Sequence, residues 1–418
     1  MSLPRYPEYK DSGVAWLGEV PGHWEVKRLK NLATIQNGSD YKHIQADSEG
    51  YPVIGSGGEF ARAREYLYEG ESVLLGRKGT IDRPLYINGA FWPVDTMFYT
   101  MIKQETCAKY LYYCALTIRF DLYSTSTALP SMTQADLSNI HFAVPDFEEQ
   151  TAIANFLDRE TAKIDALIAE QEKLIALLAE KRQATISHAV TKGLNPDAPM
   201  KDSGVEWLGD VPAHWGIKKL KSLTNFLGGG TPSRENLSFW NGSIPWVSPK
   251  DMKRELIDSA EECITEEGLT KSSSNLITTG CVLVVVRSGI LQHTIPVAIN
   301  AVPVAINQDM KALDFCAGSC LNNFFLRWVQ GLNDLLLLVW SKQGATVESI
   351  EHSYLAETLI ALPPMGEQKS IVAFLNAEIT RLDDLTTEAT RAIALLKERR
   401  TALISAAVTG KIDVRTLA

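Results

Sequence analysis

Two long stretches of this chain repeat apolar residues at heptad-like spacing. In the first they are Leu157, Ile164, Leu167, Leu174 and Leu178, and in the second Leu375, Leu382, Leu385, Ile393 and Leu396. Such spacing gathers side chains on one face of an α-helix, so a long helix is predicted over each of 144–194 and 362–418. About 40 residues of helix extend roughly 60 Å. Pro145 and Pro363 stand at the starts, and Asp146 with Glu149 resembles a capping box. Gly193 and Gly410 lie near the ends, where a left-handed residue commonly stops a helix. Gln171, Ala389 and Ala392 interrupt the apolar stripe, which suits the pairing of two helices better than burial in a deep core.

Between the helical stretches the pattern changes. "ESVLLGRKGTIDRPLYINGAFWPVDTMFYTMI" (Glu71 to Ile102) and "CVLVVVRSGILQHTIPVAINAVPVAINQDMKAL" (Cys281 to Leu313) are β-branched and aromatic runs broken by Gly, Pro and Asn. They predict strands, so each of the blocks 1–143 and 195–361 reads as an α/β domain. The two runs align weakly, Arg77 and Gly79 matching Arg287 and Gly289 at an offset of 210. Each block is expected to be a diverged copy of one sheet-containing domain.

The flanking segments are much closer copies. "KDSGVAWLGEVPGHWEVKRLKNL" from Lys10 returns as "KDSGVEWLGDVPAHWGIKKLKSL" from Lys201, with 16 of 23 positions identical. Val144–Leu194 matches Leu362–Ile412 without a gap, with 22 identities in 51. The chain is thus an internal two-fold duplication. The first helix leaves block one and arrives at block two, and the second leaves block two and ends the chain. If the repeats are equivalent, the helices must pair antiparallel and hold the blocks at opposite ends. The C-terminus should then return to the N-terminal phrase, giving a pseudo-two-fold, nearly circular molecule. The expected fold class is α+β: two α/β domains joined by two long antiparallel helices, a coiled coil.

Bulk properties narrow the function. The 418 residues are 45% hydrophobic and 22% charged, as in ordinary globular proteins. No apolar run reaches the roughly 18 residues a membrane span needs, and "MSLPRYPEYK" lacks the pattern of a signal peptide. A soluble, cytoplasmic protein without membrane contact is expected. The six cysteines read as reduced; Cys316 and Cys320 are expected to be core residues on a helix. A net charge of −9 speaks against a general polyanion binder, though not against a reader of base edges whose phosphate contacts are local or shared with a partner.

Catalytic signatures are scarce. There is no G-x-x-x-x-G-K-[ST] loop and no H-x-x-x-H pair, and the glycines 228–230 follow no strand-then-helix pattern. His23 and His214 precede Trp within the repeated phrase and read as packing of a structural corner. Asp251-Met252-Lys253 and Asp309-Met310-Lys311 have the carboxylate-x-lysine form of some metal-dependent nucleases, but no Pro-Asp upstream supplies a second ligand. What remains is basic and polar residues in turns. They are Arg62, Arg64, Arg77 and Lys78 in the first block, and Arg234, Lys250, Lys253, Arg254, Arg287, Gln292 and His293 in the second. Arg and Gln make the bidentate contacts that read guanine and adenine edges. A metal-dependent nuclease fused to DNA-binding domains, and a protein-binding scaffold, remain alternatives.

The layout resembles the specificity (S) subunit of type I restriction-modification systems over essentially the whole chain. The resemblance rests on "KDSGVAWLGEVPGHW" and its copy, on "VPDFEEQTAIANFLD" and "LPPMGEQKSIVAFLN", and on "VVVRSGILQHTIPVAINAVPVAINQDMKAL". It implies that 1–143 and 195–361 are target-recognition domains, each reading half of a split, asymmetric site in double-stranded DNA. It implies that the helices are spacers on which two methyltransferase subunits dock. Those subunits would supply S-adenosylmethionine, and motor-nuclease subunits would supply ATP and Mg chemistry. The chain itself would bind no cofactor or metal and carry no catalytic residue.

Overall fold

The computed structural model describes residues 4–122, 130–342 and 347–415. The fold is α+β and duplicated, and the chain divides into two units. The first holds residues 1–172 and 390–418, and the second holds residues 173–389. Each unit therefore owns one variable block and one half of each long helix.

In the first unit a seven-stranded sheet is built around Tyr68–Gly76, flanked by Met97–Ile102 and Leu85–Pro93. Tyr51–Gly55 runs parallel to Leu85–Pro93, pairing Val53 with Trp92 and Ile54 with Pro93. The second unit repeats these pairings but divides them between a five-stranded and a four-stranded sheet. Val282–Val285 lies between Met310–Phe315 and Val297–Asn300, and Trp240–Val247 runs parallel to Val304–Ile306, pairing Trp246 with Ala305 and Val247 with Ile306. Met97 faces Gly76 as Met310 faces Val285, so the blocks are copies of one domain.

The continuous apolar runs are explained by burial on both faces. Val73 and Leu75 enter the core that contains Trp24, Tyr110 and the ends of both long helices, while Leu74 enters a second core with Phe91 and Trp92. Likewise Val282 and Val284 face a core with Trp215, Trp328 and Leu375, while Leu283 and Val285 face another with Val247 and Ile306.

The long helices are Phe147–Lys192 and Met365–Val408. In each unit they pair antiparallel: Asp165 meets Arg400 at 2.9 Å in the first, and Arg182 meets Asp383 at 3.5 Å in the second. Gly410 is left-handed (φ 72°) and closes the second helix, Lys411 N–H bonding Ala406 O at 2.8 Å and Gly410 N–H bonding Ala407 O at 3.2 Å. Gly193 (φ 75°) follows the first helix. The C-terminal segment returns to the N-terminal phrase within the first unit: Tyr9 donates its hydroxyl to Gly410 O at 3.0 Å, and Asp413 N–H bonds Pro4 O at 2.8 Å.

The buried seam differs from the expected stripe by one residue in places. Leu157, Ile164, Leu178, Leu375 and Leu382 are buried, and Ile393 and Leu396 half-buried, but Leu167, Leu174 and Leu385 are 52%, 40% and 40% exposed. Ile168, Ile175 and Thr386 take the sheltered positions instead. The sheltered residues follow alternating steps of four and three, as a paired seam requires, and a run such as Leu167-Ile168 offers two apolar candidates for one position. Two further expectations change. Asp146 Oδ1 accepts Glu149 N–H at 2.9 Å, but the Glu149 side chain turns to Tyr6 and His23 rather than completing a capping box. Cys316 and Cys320 lie in the turn between Met310–Phe315 and Asn322–Gly331, not on a helix.

The repeated motifs tie sheet to helix. Glu149 accepts Tyr6 Oη at 2.7 Å and lies 2.8 Å from His23 Nε2, and Glu367 lies 2.7 Å from His214 Nε2 and accepts Trp215 Nε1 at 3.2 Å. The next residue, Gln150 or Gln368, is 1% exposed and accepts the Cys107 or Leu321 N–H at the start of the domain's own helix.

Candidate nucleic-acid interface

Loops from distant parts of each block meet at one place. In the first unit Gly38 N–H bonds Met97 O at 2.9 Å, Ser39 N–H bonds Pro93 O at 2.9 Å, and Val94 N–H bonds Ile54 O at 3.0 Å. Arg77 N–H bonds Thr96 O at 2.8 Å, and Met132 N–H bonds Arg77 O at 3.0 Å. Four of these five bonds recur in the second unit. Gly230 N–H bonds Ile306 O at 3.0 Å, Asn307 N–H bonds Val247 O at 3.0 Å, Val286 N–H bonds Asp309 O at 2.8 Å, and Ile350 N–H bonds Val286 O at 2.8 Å. A Cβ on Gly38 would lie 2.0 Å from Val94 O, and one on Gly229 would lie 2.0 Å from Ile306 O. Only glycine permits that backbone approach.

These bonds set the correspondence between the blocks. Arg77 matches Val286, and Lys78, bridged to Ser131, matches Arg287, bridged to Ser349. The sequence alignment of Arg77 with Arg287 is therefore one residue out of register. A basic side chain still recurs at the matched position, as Lys78 and Arg287, both exposed.

In the second unit the loops border a cleft of about 1000 Å³. Arg234, Lys250 and Arg287 line it, beside Asp251, Glu262, Gln308 and Asp309. Arg234 is held firmly. Its guanidinium stands 3.9 Å from the Trp240 ring centre and 5.1 Å from that of Trp246, and it makes two bonds to Glu262, one at 2.8 Å. Those bonds hold the Glu262 carboxyl below the usual carboxylate range. By contrast, the side chains of Arg287 and Lys250 make no hydrogen bond or ion pair among the described residues.

The other candidates are more scattered. Arg77 donates to Asp95 O at 3.4 Å and lies over the Phe98 ring. Arg62 is occupied by Gly50 O at 3.0 Å and Glu59 at 2.8 Å, and Arg64 follows it on the same chain segment, its N–H bonding Ile44 O at 2.8 Å. Arg254 pairs with Asp258 at 2.8 Å and Lys253 lies exposed in the turn before it. Gln292 and His293 are exposed at the end of the short helix Gly289–Gln292, which follows Arg287 but does not line the cleft. The carboxylate of Asp251 accepts Ser248 N–H, the Ser248 hydroxyl and Glu261 N–H, each at 2.8 Å, so it braces a loop. No cluster of three or more metal-ligating side chains occurs among the described residues.

Asp95 and Gln308, absent from the candidate residues, occupy the tips of the matched turns. Their signal was a short polar stretch set inside an apolar run, Asp95-Thr96 just before Met97 and Asn307-Gln308-Asp309 just before Met310.

The model for the type I restriction modification DNA specificity domain matches residues 21–176 and again 212–394. The chain belongs to this family. The specificity subunit of the type I restriction enzyme EcoR124I/EcoR124II of Escherichia coli is 32% identical over 301 residues, 71% of this chain and 69% of that protein. The type I restriction enzyme MjaIX specificity subunit of Methanocaldococcus jannaschii is 29% identical over 175 residues, 40% of this chain and 39% of its own. Among solved structures, a chain of a type I R-M system assembly shares the fold with a TM-score of 0.68 at 17% identity, over 93% of this chain and 98% of that one. The HsdS subunit of Thermoanaerobacter tengcongensis does so with 0.55 at 15% identity, over 94% and 98%. This chain is thus a type I specificity protein with two specificity domains. No helix among its described residues is long and apolar enough to cross a membrane.

Proposed function

We propose that this specificity subunit reads a split, asymmetric site in double-stranded DNA, each domain contacting one half through its converging loops. The observation that carries this reading is the loop cluster itself, four of whose five backbone bonds recur in the second unit while the side chains differ. One backbone frame with different side chains is what two different half-sites demand, whereas a homodimer reads a palindrome. Lys78 and Arg287 supply a donor at the matched position of each frame.

The chain works without chemistry of its own in this reading. Two methyltransferase subunits dock on its long helices and bring S-adenosylmethionine, and motor-nuclease subunits bring ATP and Mg. The exposed Leu167 and Leu395 of the first unit, and Leu174, Leu177 and Leu385 of the second, offer apolar surface for such docking. Shared phosphate contacts from the partners account for a net charge of −9 on a DNA reader.

The test is adenine-methylation mapping in cells carrying the whole system, with and without this chain. A single split motif with a constant gap, lost on deletion, is expected. Exchanging the second block (about 224–361) for that of another specificity subunit should change one half of the motif only. A motif untouched by the exchange would sink the reading.

A further inference from the structure

We infer that Asp95 and Gln308 are paired specificity-determining residues, and that they demand opposite hydrogen-bonding character from the two half-sites. This inference rests on the DNA-reading role proposed above and refines it to two side chains.

The two residues are structurally equivalent. Asp95 is the first tip residue of the turn closed by Met97 N–H to Val94 O at 2.9 Å, and Gln308 that of the turn closed by Met310 N–H to Asn307 O at 3.3 Å. Each turn grips the neighbouring basic loop by backbone: Thr96 O accepts Lys78 N–H at 3.3 Å, and Asp309 O accepts Arg287 N–H at 3.2 Å. Asp95 beside Lys78, and Gln308 beside Arg287, therefore stand at the same place in the two loop clusters. Both tips are exposed.

Their chemistry differs. A carboxylate only accepts hydrogen bonds, and the Asp95 carboxylate accepts none among the described residues, so it selects a base edge carrying an exocyclic amine: cytosine N4 or adenine N6. Gln308 lines the cleft and has its Oε1 engaged by the Thr231 hydroxyl, while its amide N–H groups make no hydrogen bond among the described residues and keep their capacity to donate. It therefore selects an acceptor edge: N7 or O6 of guanine, N7 of adenine, or O4 of thymine. One half-site is constrained to an amine and the other to an acceptor at the corresponding position.

The test uses the full chain co-expressed with its methyltransferase subunits, and adenine methylation read across a plasmid library of randomised sites. The near-isosteric variants Asp95→Asn and Gln308→Glu change donors and acceptors without changing size. Asp95→Asn should admit acceptor-bearing bases at one position of one half-site, shifting methylation there about tenfold or more. Gln308→Glu should shift one position of the other half-site toward cytosine or adenine by a similar factor. Variants that assemble and keep the wild-type preference at every position overturn the inference, as does a change falling on both halves. A variant that no longer co-purifies with the methyltransferase overturns it too, since the tip would then serve docking. If the unaltered complex methylates no split motif, the DNA-reading proposal itself fails, an outcome distinct from these.

Discussion

Gln150, near the start of the first long helix, accepts the backbone N–H of Cys107 through its side-chain oxygen at 2.9 Å. Its amide donates to Pro145 O at 2.9 Å and Glu105 O at 3.2 Å. Gln368 repeats the arrangement with Leu321 N–H at 2.8 Å and Pro363 O at 2.9 Å. One buried side chain thereby caps the helix of the variable block and fixes it to the long helix.

Replacing that amide by a hydrocarbon strands buried backbone groups. Gln150→Leu and Gln368→Leu should each destabilise the chain by about 1–3 kcal/mol. Urea denaturation reads this directly, and an unchanged midpoint in both variants would remove the proposed capping role.

Gly38 and Gly229 have no room for a side chain. Gly38→Ala and Gly229→Ala force backbone apart and should cost about 1–3 kcal/mol. Each should also blur methylation of one half-site while the other stays sharp. Equal blurring of both halves would contradict the assignment of one loop cluster to each.

Lys78 and Arg287 project from matched bridges. Lys78→Ala and Arg287→Ala should each weaken DNA binding by about 1–3 kcal/mol if the side chain reads a guanine. Loss confined to cognate DNA marks a base contact. Equal loss on all DNA, with a shallower salt dependence, would assign a phosphate contact instead. No loss in either variant favours the scaffold alternative.

Asp413 gives a pH dependence. It accepts bonds from Arg415 at Nη2 (2.7 Å), Nε (2.9 Å) and the backbone N–H (3.1 Å), and these hold its carboxyl below the usual range. A carboxyl depressed in the folded state stabilises the chain above its unfolded value, about 3.9, and loses that contribution as pH falls through the folded value. Asp413→Asn should therefore be less stable than the parent at neutral pH, with the gap closing below about pH 4. Urea midpoints measured from acid to neutral pH decide it; a gap independent of pH would rule the linkage out.

The duplication, the two long helices with their stops, and the strand content were all legible because they are written as periodicity and repetition. Gly193 and Gly410 do stand just beyond the helix ends. The seam was legible only approximately, since adjacent apolar pairs such as Leu167-Ile168 satisfy the helical period equally well. The loop cluster was less legible still. Arg62 and Arg77 look alike in sequence, yet Arg62 is occupied by Glu59 and Gly50, while Arg77 sits among the converging loops.

By itself the sequence determined a frame present twice, with antiparallel helices required by chain direction, because equivalence of repeats constrains topology before any coordinate is known. Only the tertiary structure decided which turns meet, that Lys78 rather than Arg77 corresponds to Arg287, and that Asp95 and Gln308 share a place. Those relations are carried by backbone hydrogen bonds between segments far apart in the chain. Such bonds use N–H and C=O groups that every residue but proline possesses in full, so they leave almost no trace in side-chain identity.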